Sequence, residues 1–327
     1  MNGSLGRRLI QPAAIAILIL LVLSGAARAQ DDAESLEIVT IEALSRREYG
    51  SPDGLQAHQV FEANADFTRY IVSYLSDGLR IYGFMNVPVG EGPFPVVILI
   101  HGYMPTATYQ TLTYTTRYAD ALARAGFLVI HPNLRNHFPS DSAPDQPFFS
   151  VGYAMDVLNL IADVERDAGK TETLAAALPE WIGLWGHSMG GGIAIRAMVV
   201  NPNVDAAVLY GTMSADEYLN YDRIYTYWMG GAEGLEEIST PPEILAQISP
   251  VTYLDRTEAA VSIHYGAQDS DVPPAWSIEL CGQLEALGED VECFGYEGQD
   301  HILAGASDRL FQERAVEFFN STLPQDQ

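Results

Sequence analysis

Ser188 stands at the centre of GHSMG, residues 186–190, where a run of strand formers from Trp181 to Trp185 gives way to a helical pattern. A serine at so tight a strand-to-helix turn is a candidate nucleophile. Flanking glycines let strand and helix approach, the turn lifts the hydroxyl above the sheet, and the helix N-terminus favours negative charge beside it. The alternative is a glycine-rich turn whose serine caps the helix. A serine hydroxyl needs a base to take its proton, and the base needs an acid to orient it. In an open parallel sheet such partners lie beyond the carboxyl ends of strands, in the order nucleophile, acid, histidine. Of the seven histidines, only His264 and His301 follow Ser188. His264 falls inside the strand-like AVSIHYG, whereas His301 lies in the loop QDHIL after VECFGYEG. The acid candidate is Asp269, shortly after Gly266 in YGAQDSDVPP, with Asp271 in reserve; Asp300 reads as a loop cap. Together these residues would perform acyl transfer through a covalent acyl-serine.

Two donors are also needed for the oxyanion. The backbone N–H of Met189, at the helix start, is one candidate. The other is the N–H of Tyr103 in HGYMP, directly after the apolar run ILI, with His101 and Gly102 shaping that turn.

The elements that must carry these residues are legible as an alternation. FTRYIVSYLSDGLRIYGFMNVP reads as two strands around a turn at Ser76-Asp77-Gly78. FPVVILI and FLVIHP are buried strands with a helical segment from Tyr114 to Arg124 between them, and GYAMDVLNLIADVERDA has helical spacing. WIGLWG, VDAAVLYG and AVSIHYG follow, each answered by a helix. This order predicts an α/β fold with a mostly parallel sheet and helices on both faces. Residues 212–259 interrupt it with a segment too long for a simple loop, expected to form a cap. Its Tyr218, Tyr221, Tyr225, Tyr227 and Trp228 either line a substrate pocket or belong to the core.

Composition limits the partners. The chain has 327 residues, 17 basic against 43 acidic, and a single lysine, Lys170. A net charge of −26 excludes nucleic acid, which needs a basic face. Arg7 and Arg8 precede an uncharged stretch from Leu9 to Ala27, followed by the A-x-A site Ala27-Arg28-Ala29. This predicts a signal peptide over residues 1–29 and an exported protein, periplasmic or extracellular; a retained membrane anchor is the alternative. Residues 30–58 form an extension, 59–323 the catalytic domain and 324–327 a tail. Cys281 and Cys293 pair as a disulfide in such a compartment, or remain two buried thiols. Neither has zinc-ligand spacing, so no metal site is expected, and the chemistry calls for no cofactor.

SDGLRIYGFMNVP, PVVILIHGY, GHSMGGG, GAQDSDVP and GQDH together resemble the catalytic domain of the prolyl oligopeptidase family and its esterase-like, dienelactone hydrolase-like relatives, within the α/β-hydrolase fold. The resemblance spans roughly residues 59–322. It implies Ser188 as nucleophile, Asp269 as acid, His301 as base, and the N–H groups of Met189 and Tyr103 as oxyanion hole. Two departures stand out. Few residues precede the matched region, too few for the β-propeller of many such peptidases, and NLRNHFPSD carries Asn136 and Phe138 where relatives often have glycines. The expected substrate is a short-chain or aromatic carboxylic ester, with short peptides as the alternative; a non-catalytic binding protein on the same scaffold is a third reading.

Overall fold

The structure is a computed structural model that describes residues 39–143 and 148–324. The leader expected over residues 1–29 lies outside the described residues. Helix α1 (Ile41–Arg46) is capped by Thr40, whose Oγ1 accepts the Ala43 N–H. Strands β1 (Gln56–Ala63), β2 (Phe67–Ser76) and β3 (Leu79–Pro88) follow. Asp77 and Gly78 both have positive φ, 53° and 81°, the geometry whose twist matches a two-residue hairpin between β2 and β3.

From there strands and helices alternate: β4 (Phe94–Ile100), α2 (Thr116–Arg124), β5 (Leu128–Pro132), α3 (Phe149–Asp167), β6 (Ala177–His187), α4 (Met189–Val200) and β7 (Ala206–Tyr210). After the cap come β8 (Ala260–Gly266), α8 (Pro274–Leu287), β9 (Val291–Tyr296) and α9 (Gly305–Ser321). The nine strands form one sheet in the order β1-β2-β3-β5-β4-β6-β7-β8-β9. Pairing is antiparallel from β1 through β3 to β5 and parallel from β5 to β9. The sheet begins at Gln56, a few residues before the boundary drawn from the sequence. Every residue of β1 is exposed, so the strand carries no apolar alternation to betray it.

A sheet covered on both faces needs strands apolar on both sides. In β4, Val96, Ile98 and Ile100 join the core under α3 and α4, while Val97 and Leu99 join the core under α2 and α9. Trp181 and Trp185 of β6 point to the second face with Gly183 between them. A Cβ on Gly183 would lie 2.6 Å from the Trp181 ring and 3.0 Å from Phe319, so the close packing there requires glycine. Cys281 of α8 and Cys293 of β9 are joined by a disulfide.

The cap consists of α5 (Glu217–Arg223), a π-helical turn (Ile224–Trp228), α6 (Leu235–Ile238), α7 (Pro242–Ile248) and a 3-10 helix (Pro250–Arg256). It is fastened to the sheet by Arg196 of α4, which is buried. Its guanidinium pairs with Glu217 and donates to the Ile248 carbonyl at 2.7 Å. Glu217 also accepts from Ser150 Oγ at 3.1 Å, so its carboxylate is not left unpaired.

Candidate active site

Ser188 joins the end of β6 to the start of α4 with φ 56° and ψ −118°, a conformation L residues rarely adopt. The surroundings enforce it. The Ser188 N–H donates to Tyr210 O at 2.9 Å, and Ser188 O accepts from Gly191 N at 2.9 Å and Met213 N at 3.1 Å. A Cβ on Gly186 would come within 2.4 Å of Gly190 O, and one on Gly190 within 2.2 Å of Ile100 O, so both must be glycine. The side chain makes no capping bond to α4, which argues against the helix-cap alternative.

His301 and Asp269 come together from two strand ends. His301 Nδ1 lies 2.7 Å from Asp269 Oδ2, and Asp269 Oδ1 accepts the N–H groups of Asp271 and Val272 at 2.9 and 2.8 Å. The Asp269 side chain is almost fully buried, whereas Asp271 is exposed and lines the cavity. Asp300 accepts from the Ser270 and His301 N–H groups, both at 2.8 Å, and those bonds hold its pKa below the usual carboxylate range. It therefore ties the loop carrying Asp269 and Ser270 to the loop carrying His301. His264 is buried inside β8, between Ser262 Oγ at 2.8 Å and Tyr296 Oη at 3.0 Å, and burial drives its pKa down to about 3.

Ser188, His301, Tyr103 and Met189 line one cavity of about 1320 Å³. Among the described residues His301 bonds through Nδ1 to Asp269, and no hydrogen bond joins it to the Ser188 hydroxyl. Neither the Tyr103 nor the Met189 N–H donates to a backbone carbonyl among the described residues. Gly102 packs the Tyr103 turn against the serine: a Cβ there would lie 3.1 Å from Ser188 Cβ and 2.7 Å from Tyr114 Oη.

The aromatic residues of the cap divide. Trp228 lines the cavity, but Tyr218, Tyr221 and Tyr225 do not, which corrects their assignment as pocket residues. The short helix α5 turns Glu217, Asn220 and Tyr221 inward, so Tyr221 is core and meets Phe148 edge-on at 5.2 Å. Tyr218 and Tyr227 face solvent. The cap instead offers Met213, Ile224, Met229 and Leu235 to the cavity, with Glu233, Glu236 and Glu237. Arg135 lines it from the loop after β5, where Asn136 has φ 67°, a left-handed position that asparagine tolerates. The Arg135 guanidinium is engaged by Asp156, with Nη2 to Oδ1 at 2.7 Å and Nε to Oδ1 at 3.1 Å.

Sequence reasoning did not find Tyr114 or His187. Tyr114 Oη accepts the Gly102 N–H at 2.7 Å and lies 3.0 Å from His187 Nδ1. Arg223 of α5 also went unnoticed; it donates to Ser270 O at 2.7 Å and Asp271 O at 3.1 Å, joining the cap to the loop that carries Asp269. Among the described residues there is no cluster of side chains suited to a metal ion, and no helix long and apolar enough to cross a membrane.

Comparison with known proteins agrees with this architecture. A family model described as the alpha/beta hydrolase fold matches residues 95–232. A Synechocystis sp. protein named as a carboxymethylenebutenolidase is 22% identical over 249 residues, covering 72% of this chain and 86% of the relative. The structure of Pyrococcus horikoshii acylaminoacyl peptidase superposes with a TM-score of 0.63 at 20% identity, covering 80% of this chain. This chain spans only 43% of that peptidase. Acetyl xylan esterase 1 from Thermoanaerobacterium sp. superposes with a TM-score of 0.59 at 16% identity, covering 88% of this chain and 94% of the esterase. Strand order, two-sided packing and the family match coincide: the chain has the α/β-hydrolase fold.

Proposed function

We propose that the protein is a serine hydrolase that cleaves carboxylic esters through an acyl-enzyme, with Ser188 as nucleophile, His301 as general base, Asp269 as its orienting acid, and the Tyr103 and Met189 N–H groups as oxyanion donors. The observation that carries the reading is the 2.7 Å contact between His301 Nδ1 and Asp269 Oδ2 at the rim of the cavity holding the strained Ser188. With Asp269 on Nδ1, the imidazole keeps Nε2 free to take the serine proton as the hydroxyl attacks the carbonyl. The same proton then goes to the leaving alkoxide, and water, activated by His301, releases the acid. Each oxyanion donor contributes about 2.7–4 kcal/mol to the transition state.

The cavity favours esters with an aromatic or bulky apolar group over acetyl esters, because about 1320 Å³ exceeds what a small acyl group fills. The apolar part of its wall is thioether and aromatic, from Met104, Met213, Met229, Trp228 and Tyr153. Amide cleavage in short peptides is the second reading, favoured by the structural likeness to acylaminoacyl peptidase. We also propose that residues 1–29 direct export; the Cys281–Cys293 disulfide supports an oxidising compartment. A fluorophosphonate probe tests the central claim. Wild type should be labelled and Ser188→Ala should not; equal labelling of both, or of neither, would reject it.

A further inference from the structure

We infer that His187, the residue before the nucleophile, is a positioning residue that straps the oxyanion turn to the loop carrying His301, with Tyr114 as its second member. This rests on the assignment of Ser188 and His301 above. The polarity of the strap follows from its ends. The Gly102 N–H can only donate, and it donates to Tyr114 Oη at 2.7 Å. The tyrosine hydrogen is thereby free for His187 Nδ1, 3.0 Å away. At the far end the His301 carbonyl can only accept, so His187 Nε2, at 3.3 Å, carries the ring proton. One neutral tautomer satisfies every partner.

The ring is also fixed by packing. His187 is buried, 4.4 Å from the Tyr210 ring and 4.7 Å from the His301 ring, centroid to centroid. Tyr210 Oη in turn accepts the Leu303 N–H, so the loop bearing His301 is held at two backbone points, the His301 carbonyl and the Leu303 N–H. Burial, reinforced by the neighbouring His301, lowers the His187 pKa to about 3, which keeps the ring uncharged when His301 becomes an imidazolium beside it. The strap thus passes from the Tyr103 turn to the base, under Ser188, and fixes how far the oxyanion donor stands from the proton acceptor. Reacting groups need that separation held closely, since displacements of about 1 Å can cost roughly a hundredfold in rate.

The test uses His187→Phe, which keeps an aromatic ring and removes both bonds, with Tyr114→Phe, their double variant, and His187→Gln. His187→Phe should lose about ten- to a hundredfold in kcat on an aromatic ester with KM changed by less than about twofold. The double variant should be no worse than His187→Phe, because one strap is cut only once. His187→Gln, whose amide reaches the Nε2 position, should recover part of kcat. Wild-type kcat in His187→Phe, additive losses in the double variant, or a rise in KM alone would overturn the inference. If His187→Phe does not fold, unchanged kcat in Tyr114→Phe overturns it equally. Fluorophosphonate labelling of Ser188 is measured in parallel. Failure of the strap leaves labelling and wild-type turnover dependent on Ser188, whereas failure of the catalytic assignment shows as turnover persisting in Ser188→Ala.

Discussion

Asp269 divides its two oxygens between His301 and its own loop: Oδ2 stands 2.7 Å from the imidazole, while Oδ1 is held by the N–H groups of Asp271 and Val272. An asparagine here would keep its oxygen on the two backbone donors and turn its NH₂ to His301. The imidazole proton would then move to Nε2, the wrong nitrogen for accepting the serine proton. Asp269→Asn should therefore lower kcat by roughly 10⁴ while folding normally, and Asp271→Asn should stay within a few fold of wild type. Equal losses in the two variants, in steady-state ester hydrolysis, would reject Asp269 as the acid.

The charge on the cavity wall sets a second expectation. Glu233, Glu236, Glu237 and Asp271 line it, and among the described lining residues Arg135 is the one arginine, already engaged by Asp156. A matched pair of esters, one neutral and one bearing a carboxylate, should differ in kcat/KM by at least about tenfold in favour of the neutral one. Added salt should narrow the gap by screening the exposed carboxylates. A carboxylate ester hydrolysed as fast as its neutral partner at low salt would contradict this.

Arg196 and Glu217 form a buried ion pair between α4, the helix that follows Ser188, and the cap. Removing one partner strands the other charge, so Arg196→Met should cost about 3–5 kcal/mol in urea unfolding, whereas Arg196→Met with Glu217→Leu should recover most of it. A double variant as unstable as the single one would show that the pair's attraction, not the stranded charge, dominates.

Buried histidines make the fold sensitive to acid. Burial lowers His101 to about pKa 4 and His187 and His264 to about 3, from 6.5, and moves His131 and His137 down as well. Between about pH 6.5 and 4 the unfolded chain binds protons that the folded chain refuses. Stability is thus full above pH 6.5 and falls as pH drops, by about 1.4 kcal/mol per pH unit for each such group. Burial raises Asp156, Asp163 and Asp205, which act in the opposite direction, but these are fewer. The urea midpoint should decrease steadily from pH 6.5 to 4.5; a flat profile would exclude the histidine contribution.

The disulfide between Cys281 and Cys293 closes a loop of sequence separation 12. Chain entropy assigns it about 3 kcal/mol. Reduction should lower Tm by several degrees while Ser188 remains reactive toward fluorophosphonate, and an unchanged Tm would show that the cross-link constrains little.

Much of this site was legible because its constraints are local. Ser188 announces itself through glycines at 186 and 190 that no other residue could replace, and Asp269 and His301 through their positions just past the ends of two strands. Relationships between distant residues were not legible. Tyr114 and His187 meet across 73 positions of sequence, and nothing in either neighbourhood encodes the contact. The cap misled for a different reason. In a helix as short as α5, aromatic content does not reveal which face turns inward, and Tyr221 went to the core while Tyr218 went to water. Strand β1 escaped because it is exposed throughout and its pairing with β2 is irregular at two points.

The two hydrogen bonds from Arg223 to Ser270 O and Asp271 O tether the cap to the loop that carries Asp269. Any outward swing of α5 wide enough to admit a bulky ester pulls on the backbone next to Asp269, whose Oδ1 is moored to that same stretch. One short stretch of backbone thus carries both the anchor of the cap and the mooring of the carboxylate that faces His301, so the position of the first is coupled to the orientation of the second.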